Sequence, residues 1–370
     1  MSAPRVEVDL AKLGHNVTVL VGRLSRRGIT VTGVTKAVLG DPAIAGVLVG
    51  GGVSGLGDAR IETIEAMRRA GVPGPMTLLR SPMASQVDRV VRHADTSLAS
   101  EPAILALLSA AAVAQERVHG VVLMVELGDL REGVMPADLP EVVGATMRLP
   151  NLVVRGIGTN LACRSGVVPD DANMGELSRL AAAVEVLVGR PLDIVSGGNS
   201  AALEWALSGT DVGRVTDLRL GEAILLGRET LHRQPIPGLH TDAFTIVAEV
   251  IESRTKPSAP WGRIAQAAFG PPPAQTSLAS GHGGTGVQSI LAIGRQDVDP
   301  DGLVPPPGVE ILACSSDHLV VATDHVLPIG TEVAFQPDYS ALLRAMTSPF
   351  VGTRFISPPA VRPLVPTSTW

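Results

Sequence analysis

The chain has 370 residues, 45% of them apolar and 18% charged, with a net charge of −6. That balance supports a large core and excludes global disorder. Aromatic residues make up only 2%, too few to stack single-stranded nucleic acid, and an acidic chain offers no basic face to a duplex; a small-molecule partner is expected instead. Cys163 and Cys314 stand far apart without metal-ligand spacing, so no metal and a reduced, cytoplasmic protein are expected. The opening MSAPRVEVDLAKLGHN has no long apolar run of the secretory type. The most apolar stretch, AILALLSAAAVA at 103–114, is too short to span a bilayer.

In chain order, β-like runs fall at 6–10, 29–34, 53–57, 76–79, 96–100, 121–127, 153–160, 193–198 and 217–221, with helical stretches such as DARIETIEAMRRAG between them. The rhythm predicts parallel strands with crossover helices. There are nine runs, one more than an eight-stranded barrel needs, and the first is the one expected to belong elsewhere. Polar residues close nearly every run: Lys36, Asp58 and Arg60, Arg80, Ser100, Arg131, Asn160, Asn199 and Ser200, and Arg219. In a (β/α)8 TIM-like barrel these ends converge on one face, where active sites are built. A doubly wound sheet would spread them along an edge, so the barrel is favoured, over residues 1–235.

The texture changes near residues 233–242. Runs at 243–253, 288–293, 309–323 and 331–336 are strand-like with little helical periodicity, which predicts a C-terminal mainly-β domain over 236–356. Residues 255–286 are rich in Pro, Gly and Ser and predict a long loop. Residues 357–370 form a Pro-rich tail.

Three features carry chemistry. The chain has only three lysines, and one of them, Lys36, ends the apolar run ITVTGV. An amine there can form a Schiff base if its proton is lost; the plain alternative is a lysine reaching out to solvent. SGGNS, Ser196 to Ser200, follows an apolar strand and opens a helix. It can cradle a phosphate on backbone N–H groups and the Ser200 hydroxyl, or be an ordinary turn with an N-cap. Arg219 interrupts LRLGEAILLG and implies a polar pocket or a buried ion pair, with Gly221 open to close backbone approach. Taken together, a lysine, a phosphate cradle and a buried cation on one face are what pyridoxal 5'-phosphate requires.

VEVDLAKLGHN, GVTKAVLGD, ELGDLREG, GIGTNLAC, SGGNSAAL and LRLGEAILLGRE follow in this order along nearly the whole chain. The sequence thereby resembles the alanine racemase superfamily of fold type III pyridoxal phosphate enzymes. GRQDV at 294–298 and SSDHL at 315–319 bring it nearest the ornithine racemase branch. The resemblance implies that Lys36 carries the cofactor and acts as one catalytic base. It implies that Asn199 and Ser200, with backbone from Gly221 and Glu222, hold the phosphate. Arg219 would face the pyridine nitrogen, and Arg131 the cofactor phenol or the substrate carboxylate. A head-to-tail homodimer is implied, in which the partner's β-domain completes each site.

Departures from the pattern matter as much. In alanine racemases the second base is a tyrosine in a GY motif, and here LAIGRQD places Arg295 there. The single tyrosine, Tyr339, matches another part of the pattern. Candidates for the missing base are His318 with Asp317, and also Cys314, Ser316 and His282. Gly40 replaces a phosphate-binding tyrosine, Asn160 a ring-stacking histidine, and Met124 a lysine that supports the arginine. A racemase for a basic or other non-alanine amino acid, ornithine or lysine favoured, is the expectation. Asp297, Asp317 or Glu222 would meet the distal ammonium. The alternatives are one-face chemistry (decarboxylase, aldolase or lyase) and a non-enzymatic regulator that binds the cofactor.

Overall fold

A computed structural model describes residues 2–258, 260, 262, 263, 265, 269 and 284–357. His282, most of the expected loop at 255–286 and nearly all of the tail lie outside the described residues. Contacts divide the chain into two compact units, which exchange at Asp9–Leu10 and at Thr241–Asp242.

Of the nine runs, the first is strand β1 (Arg5–Asp9), in the sheet unit. The other eight are β2 (Thr30–Val34), β3 (Gly55–Asp58), β4 (Met76–Leu78), β5 (Thr96–Ala99), β6 (His119–Met124), β7 (Leu152–Gly158), β8 (Ile194–Ser196) and β9 (Asp217–Leu220). They pair in parallel in chain order, and β2 closes on β9, with Thr32 opposite Arg219. This closed barrel settles the contest with the doubly wound sheet. Every residue of β5, β6 and β9 is buried, as strands covered on both faces must be. A Cβ on Gly156 would come within 1.7 Å of Ile194 O, so only glycine lets β7 pack there. Crossover helices turn their apolar stripes inward; in Ile61–Arg69 these are Ile61, Ile64 and Met67.

Asn16, from the LAKLGHN motif, fixes where the barrel unit ends. Its buried amide donates to Ile224 O and His240 O at 3.0 and 2.8 Å, and its carbonyl accepts from His240 N at 2.7 Å. Those bonds hold the chain after β9 to the first helix (Leu10–Ser25) up to His240.

At the opposite end of the barrel from the strand C-termini, His119 opens β6, almost fully buried, its Nε2 2.8 Å from Ser97 Oγ. Burial pushes the imidazole down from 6.5 to about 4. The unfolded chain therefore binds a proton that the native state refuses, and stability present above pH 6.5 is lost as pH falls toward 4. Moving from pH 7 to pH 5 is expected to cost about 2 kcal/mol from this group alone. Urea unfolding at the two pH values checks it, because the stability gap between the parent and His119→Gln should narrow by about that amount at pH 5.

The second unit is an eight-stranded sheet. Its strands after β1 are β10 (Phe244–Pro257), β11 (Thr285–Leu291), β12 (Leu303–Val304), β13 (Val309–Cys314), β14 (Leu319–Thr323), β15 (Glu332–Pro337) and β16 (Gly352–Ser357). The order is β12-β15-β10-β11-β14-β13, and β1 pairs antiparallel with β10 and parallel with β16. β10 and β11 reach into the stretch expected to be loop. The run 309–323 is two strands joined by a tight turn, in which Ser315 N donates to His318 O at 2.8 Å. A helix, Tyr339–Thr347, stands where no helical periodicity was expected; Asp338 caps it, and Ala341, Leu342 and Ala345 bury one face.

Candidate active site

Beyond β2 the chain passes through buried Thr35 into a single 3-10 turn, Lys36–Val38. Thr35 N donates to Gly57 O at 3.0 Å, extending the β2–β3 ladder. Its hydroxyl donates to Asp58 Oδ2 at 2.8 Å, while Asp58 Oδ1 accepts from Arg60 N at 2.9 Å. Burial raises the Asp58 carboxyl above its ordinary range, against the Thr35 bond and the charge of Lys36. The ends of β2 and β3 are thus locked together, and the exposed Lys36 side chain projects from a fixed base. Leu39 and Gly40 then turn left-handed, at φ of 52° and 62°. A Cβ at Gly40 would lie 2.4 Å from Thr63 Cγ2. The backbone therefore excludes a tyrosine there.

Arg219 lies within β9 and not at its end, and it is almost wholly buried. One amino group donates to Ser196 Oγ, the last residue of β8. The other donates to Thr159 O at 2.9 Å and Asn160 Oδ1 at 3.2 Å. Ser196 passes the link on, donating to Asp217 Oδ2 at 2.8 Å, and Thr32 Oγ1 donates to Asp217 Oδ1 at 2.8 Å. Burial pushes the Asp217 carboxyl up and the Arg219 guanidinium down, and each charge opposes the other's shift. Arg219 therefore meets Asp217 through the Ser196 hydroxyl and not in a direct ion pair, and its own bonds go to neutral oxygens of Ser196, Thr159 and Asn160.

The 196–200 turn takes the N-capped form. Asn199 Oδ1 accepts from Ala201 N at 2.7 Å, an N-cap. Gly198, buried at φ 116°, accepts from Arg219 N at 2.8 Å and ties the turn to β9. Ser200 Oγ accepts from Ala223 N at 3.3 Å, joining this turn to the one at Gly221–Glu222. Asn199 Nδ2 donates to Asn160 Oδ1 and Leu161 O at 3.2 and 2.9 Å. Asn160 Nδ2 is buried with no hydrogen-bond partner.

Arg131 is carried by a loop after β6 that acidic side chains hold in shape. Glu126 accepts from the N–H groups of Gly128, Leu130 and Arg131 at 2.5, 2.9 and 3.2 Å. Asp129 accepts from Cys163, Arg164 and Ser165 N–H at 3.2, 2.9 and 3.0 Å, tying the loop to the one after β7. Burial opposes ionisation of Asp129, yet those donors hold its carboxyl below the usual range. Glu132 forks onto Arg131 Nε and Nη2, and Nη1 lies 2.6 Å from Cys163 Sγ. Met124, which stands where the family has a supporting lysine, is core: it packs with Leu98 and Val122.

In the sheet unit, the two motifs of the ornithine racemase branch meet. Arg295 N and Gln296 N donate to Ser315 O and Ser316 O at 2.9 and 3.0 Å. A Cβ on Gly294 would fall 2.3 Å from Asp317 N. His318 Nδ1 lies 3.1 Å from Asp317 Oδ1. Hydrogen bonds from Ser316 and Ser315, together with His318, hold the Asp317 carboxyl below its ordinary range. Burial pushes the Cys314 thiol up to about 11, a poor base near neutrality. Two carboxylates proposed for a distal ammonium are otherwise engaged. Asp297 is buried and accepts from Gly294 N and Ser348 Oγ. Glu222 pairs with Arg233.

Residues 8–228 match the family model described as alanine racemase, N-terminal domain. The chain belongs to the alanine racemase family. It is 38% identical to a lysine racemase of Thermotoga maritima over 354 residues, 95% of this chain and 98% of that protein. It is 35% identical to an ornithine racemase of Acetoanaerobium sticklandii over 353 residues, 94% and 98% of the two chains. Among solved structures, alanine racemase from Streptomyces lavendulae superposes with a TM-score of 0.74 at 20% identity, over 96% of this chain and 98% of that one. That likeness is one of fold.

The barrel residues suit the family's cofactor. An amine, a buried cation and two joined turns with a hydroxyl form its donor set, and the unpartnered Asn160 Nδ2 offers a further donor beside Arg219. Asp58 was expected only as one of the polar strand ends, and Glu126, Asp129 and Glu132 were not among the expected site residues. Their only sequence signal was an acidic residue at or near the end of a β-run, and for three of them the spacing of acids in ELGDLREG.

Proposed function

We infer that the protein is a pyridoxal phosphate-dependent amino-acid racemase acting on a basic amino acid, ornithine or lysine. The observation that carries this reading is the β2–β9 register, with Thr32 opposite Arg219: Lys36 then follows two residues beyond the C-terminal end of β2, the strand beside the one that carries the buried cation. Near full-length similarity to a lysine racemase and an ornithine racemase supports the choice of substrate class. In this reading Lys36 holds the aldehyde, Ser200, Asn199 and the backbone of Gly221 and Glu222 hold the phosphate, and Arg219, steadied by Ser196 and Asn160, faces the ring nitrogen. Bound there, the cofactor draws electron density from Cα and acidifies its hydrogen.

Lys36 takes or returns that proton on one face of Cα. Arg219 stays cationic and so disfavours a proton on the ring nitrogen, which keeps the electron sink weak and biases the site toward prompt return of a proton to Cα. On the other face the proton falls to His318, oriented by Asp317, since Cys314 is held protonated by burial. A second copy of the chain, paired head to tail, brings that turn to the barrel. Incubating L-ornithine, L-lysine and L-alanine with the enzyme in deuterated water tests the reading. Deuterium at Cα with D-product from the basic amino acids is expected. Exchange with retention only would mean one-face chemistry, and an absorbing cofactor with no exchange would mean a regulator.

A further inference from the structure

Each two-pronged edge of the exposed Arg131 guanidinium carries a partner. Glu132 fills the Nε/Nη2 fork, and Cys163 Sγ lies against Nη1. A substrate carboxylate that takes the Nε/Nη2 fork displaces Glu132, whose carboxylate then needs a new cation. Four other acidic side chains at the strand ends already have fixed duties. Asp58 binds Thr35 and Arg60 N, Glu126 and Asp129 bind three N–H groups each, and Glu222 binds Arg233. Among the described residues of this loop, only Glu132 has Arg131 as its sole partner. It is also close enough to Arg219 for its charge to bear on that buried guanidinium, so it belongs to the same mouth as the cofactor residues.

We propose that Glu132 is the specificity-determining carboxylate: it leaves Arg131 when the substrate's α-carboxylate arrives and receives the substrate's distal ammonium. This rests on the proposed racemase reading and deepens it. An apolar amino acid would displace Glu132 and leave it without a cation, whereas a diamino acid supplies one. The exchange of partners favours basic substrates without a dedicated acidic pocket.

Two readouts test the proposal on the holoenzyme and its Glu132→Gln variant. In the first, Cα exchange is followed with L-ornithine and with L-norvaline, which lacks the distal amine. The ornithine preference in kcat/KM should fall roughly tenfold to hundredfold in the variant, the scale of one charge-assisted hydrogen bond. Norvaline should bind as well or better, because Arg131 has lost its competitor. In the second, calorimetry compares pentanoate with 5-(dimethylamino)pentanoate, a charged tertiary amine that forms no covalent bond to an aldehyde. The variant should weaken the amine probe and spare pentanoate. Glu132→Asp, which keeps the charge, should retain the preference for both cationic ligands. If both probes shift alike in the Gln variant, or the Asp variant loses the preference equally, the proposal is overturned. If the parent exchanges no basic amino acid, the racemase reading fails, while the calorimetric pair still decides the role of Glu132.

Discussion

Replacing Lys36 by alanine is expected to lower turnover about 10³-fold or more, because the proposed racemase reading asks one side chain both to anchor the aldehyde and to move the proton. Lys36→Arg should do no better, since a guanidinium cannot give up its proton near neutrality. The loss should come without unfolding. The Lys36 side chain is exposed, while the backbone under it is held by Thr35 N on Gly57 O and by the Thr35 hydroxyl on Asp58. Borohydride reduction followed by peptide mass mapping gives a readout independent of turnover. The parent should yield a pyridoxyl adduct on the peptide carrying Lys36, and the alanine variant none. Small primary amines added to Lys36→Ala should restore part of the exchange by standing in for the missing base. An adduct that moved to Lys12 or Lys256 with activity intact would sink the assignment.

Lys36 stands out as a candidate because rarity and position coincide: one of three lysines, at the end of a β-branched run. The barrel was legible because buried parallel strands must be near-continuous apolar runs, and eight of them recur at crossover spacing. Arg219 announced itself by interrupting such a run. What stayed hidden depends on contacts distant in sequence. Asp129 holds N–H groups 34 to 36 residues away, and no local pattern marks a carboxylate for that duty. Asp297 and Glu222 resemble free acids in the sequence, but the fold gives each a fixed partner. The helix at Tyr339–Thr347 was missed for another reason. Nine residues make barely two turns, and in a stretch otherwise read as strands its start rests on one Asp338 cap. Glu132 combines both problems, since its meaning lies in which edge of its neighbour Arg131 it covers.

Arg219→Met is expected to destabilise the barrel by about 3–5 kcal/mol, the cost of stranding a buried charge. Asp217 would remain nearly out of solvent with only neutral donors, the Thr32 and Ser196 hydroxyls and the Thr32 N–H. Burial already raises its carboxyl, and losing the neighbouring cation raises it further. The sign of the pH dependence follows. With its folded pKa above the unfolded 3.8, Asp217 adds stability below that value and loses it as pH rises through the folded pKa. The variant should therefore be less deficient at pH 5 than at pH 8 in urea unfolding. Adding Asp217→Asn removes the stranded charge and should recover at least half of the lost stability, with the pH dependence flattened. In the proposed reading the double variant should not regain the bias toward proton return, because nothing then opposes a proton on the ring nitrogen. If the single and double variants were equally unstable at both pH values, the pair would be a matter of packing, and the link Arg219–Ser196–Asp217–Thr32 would not be what holds this cation in place.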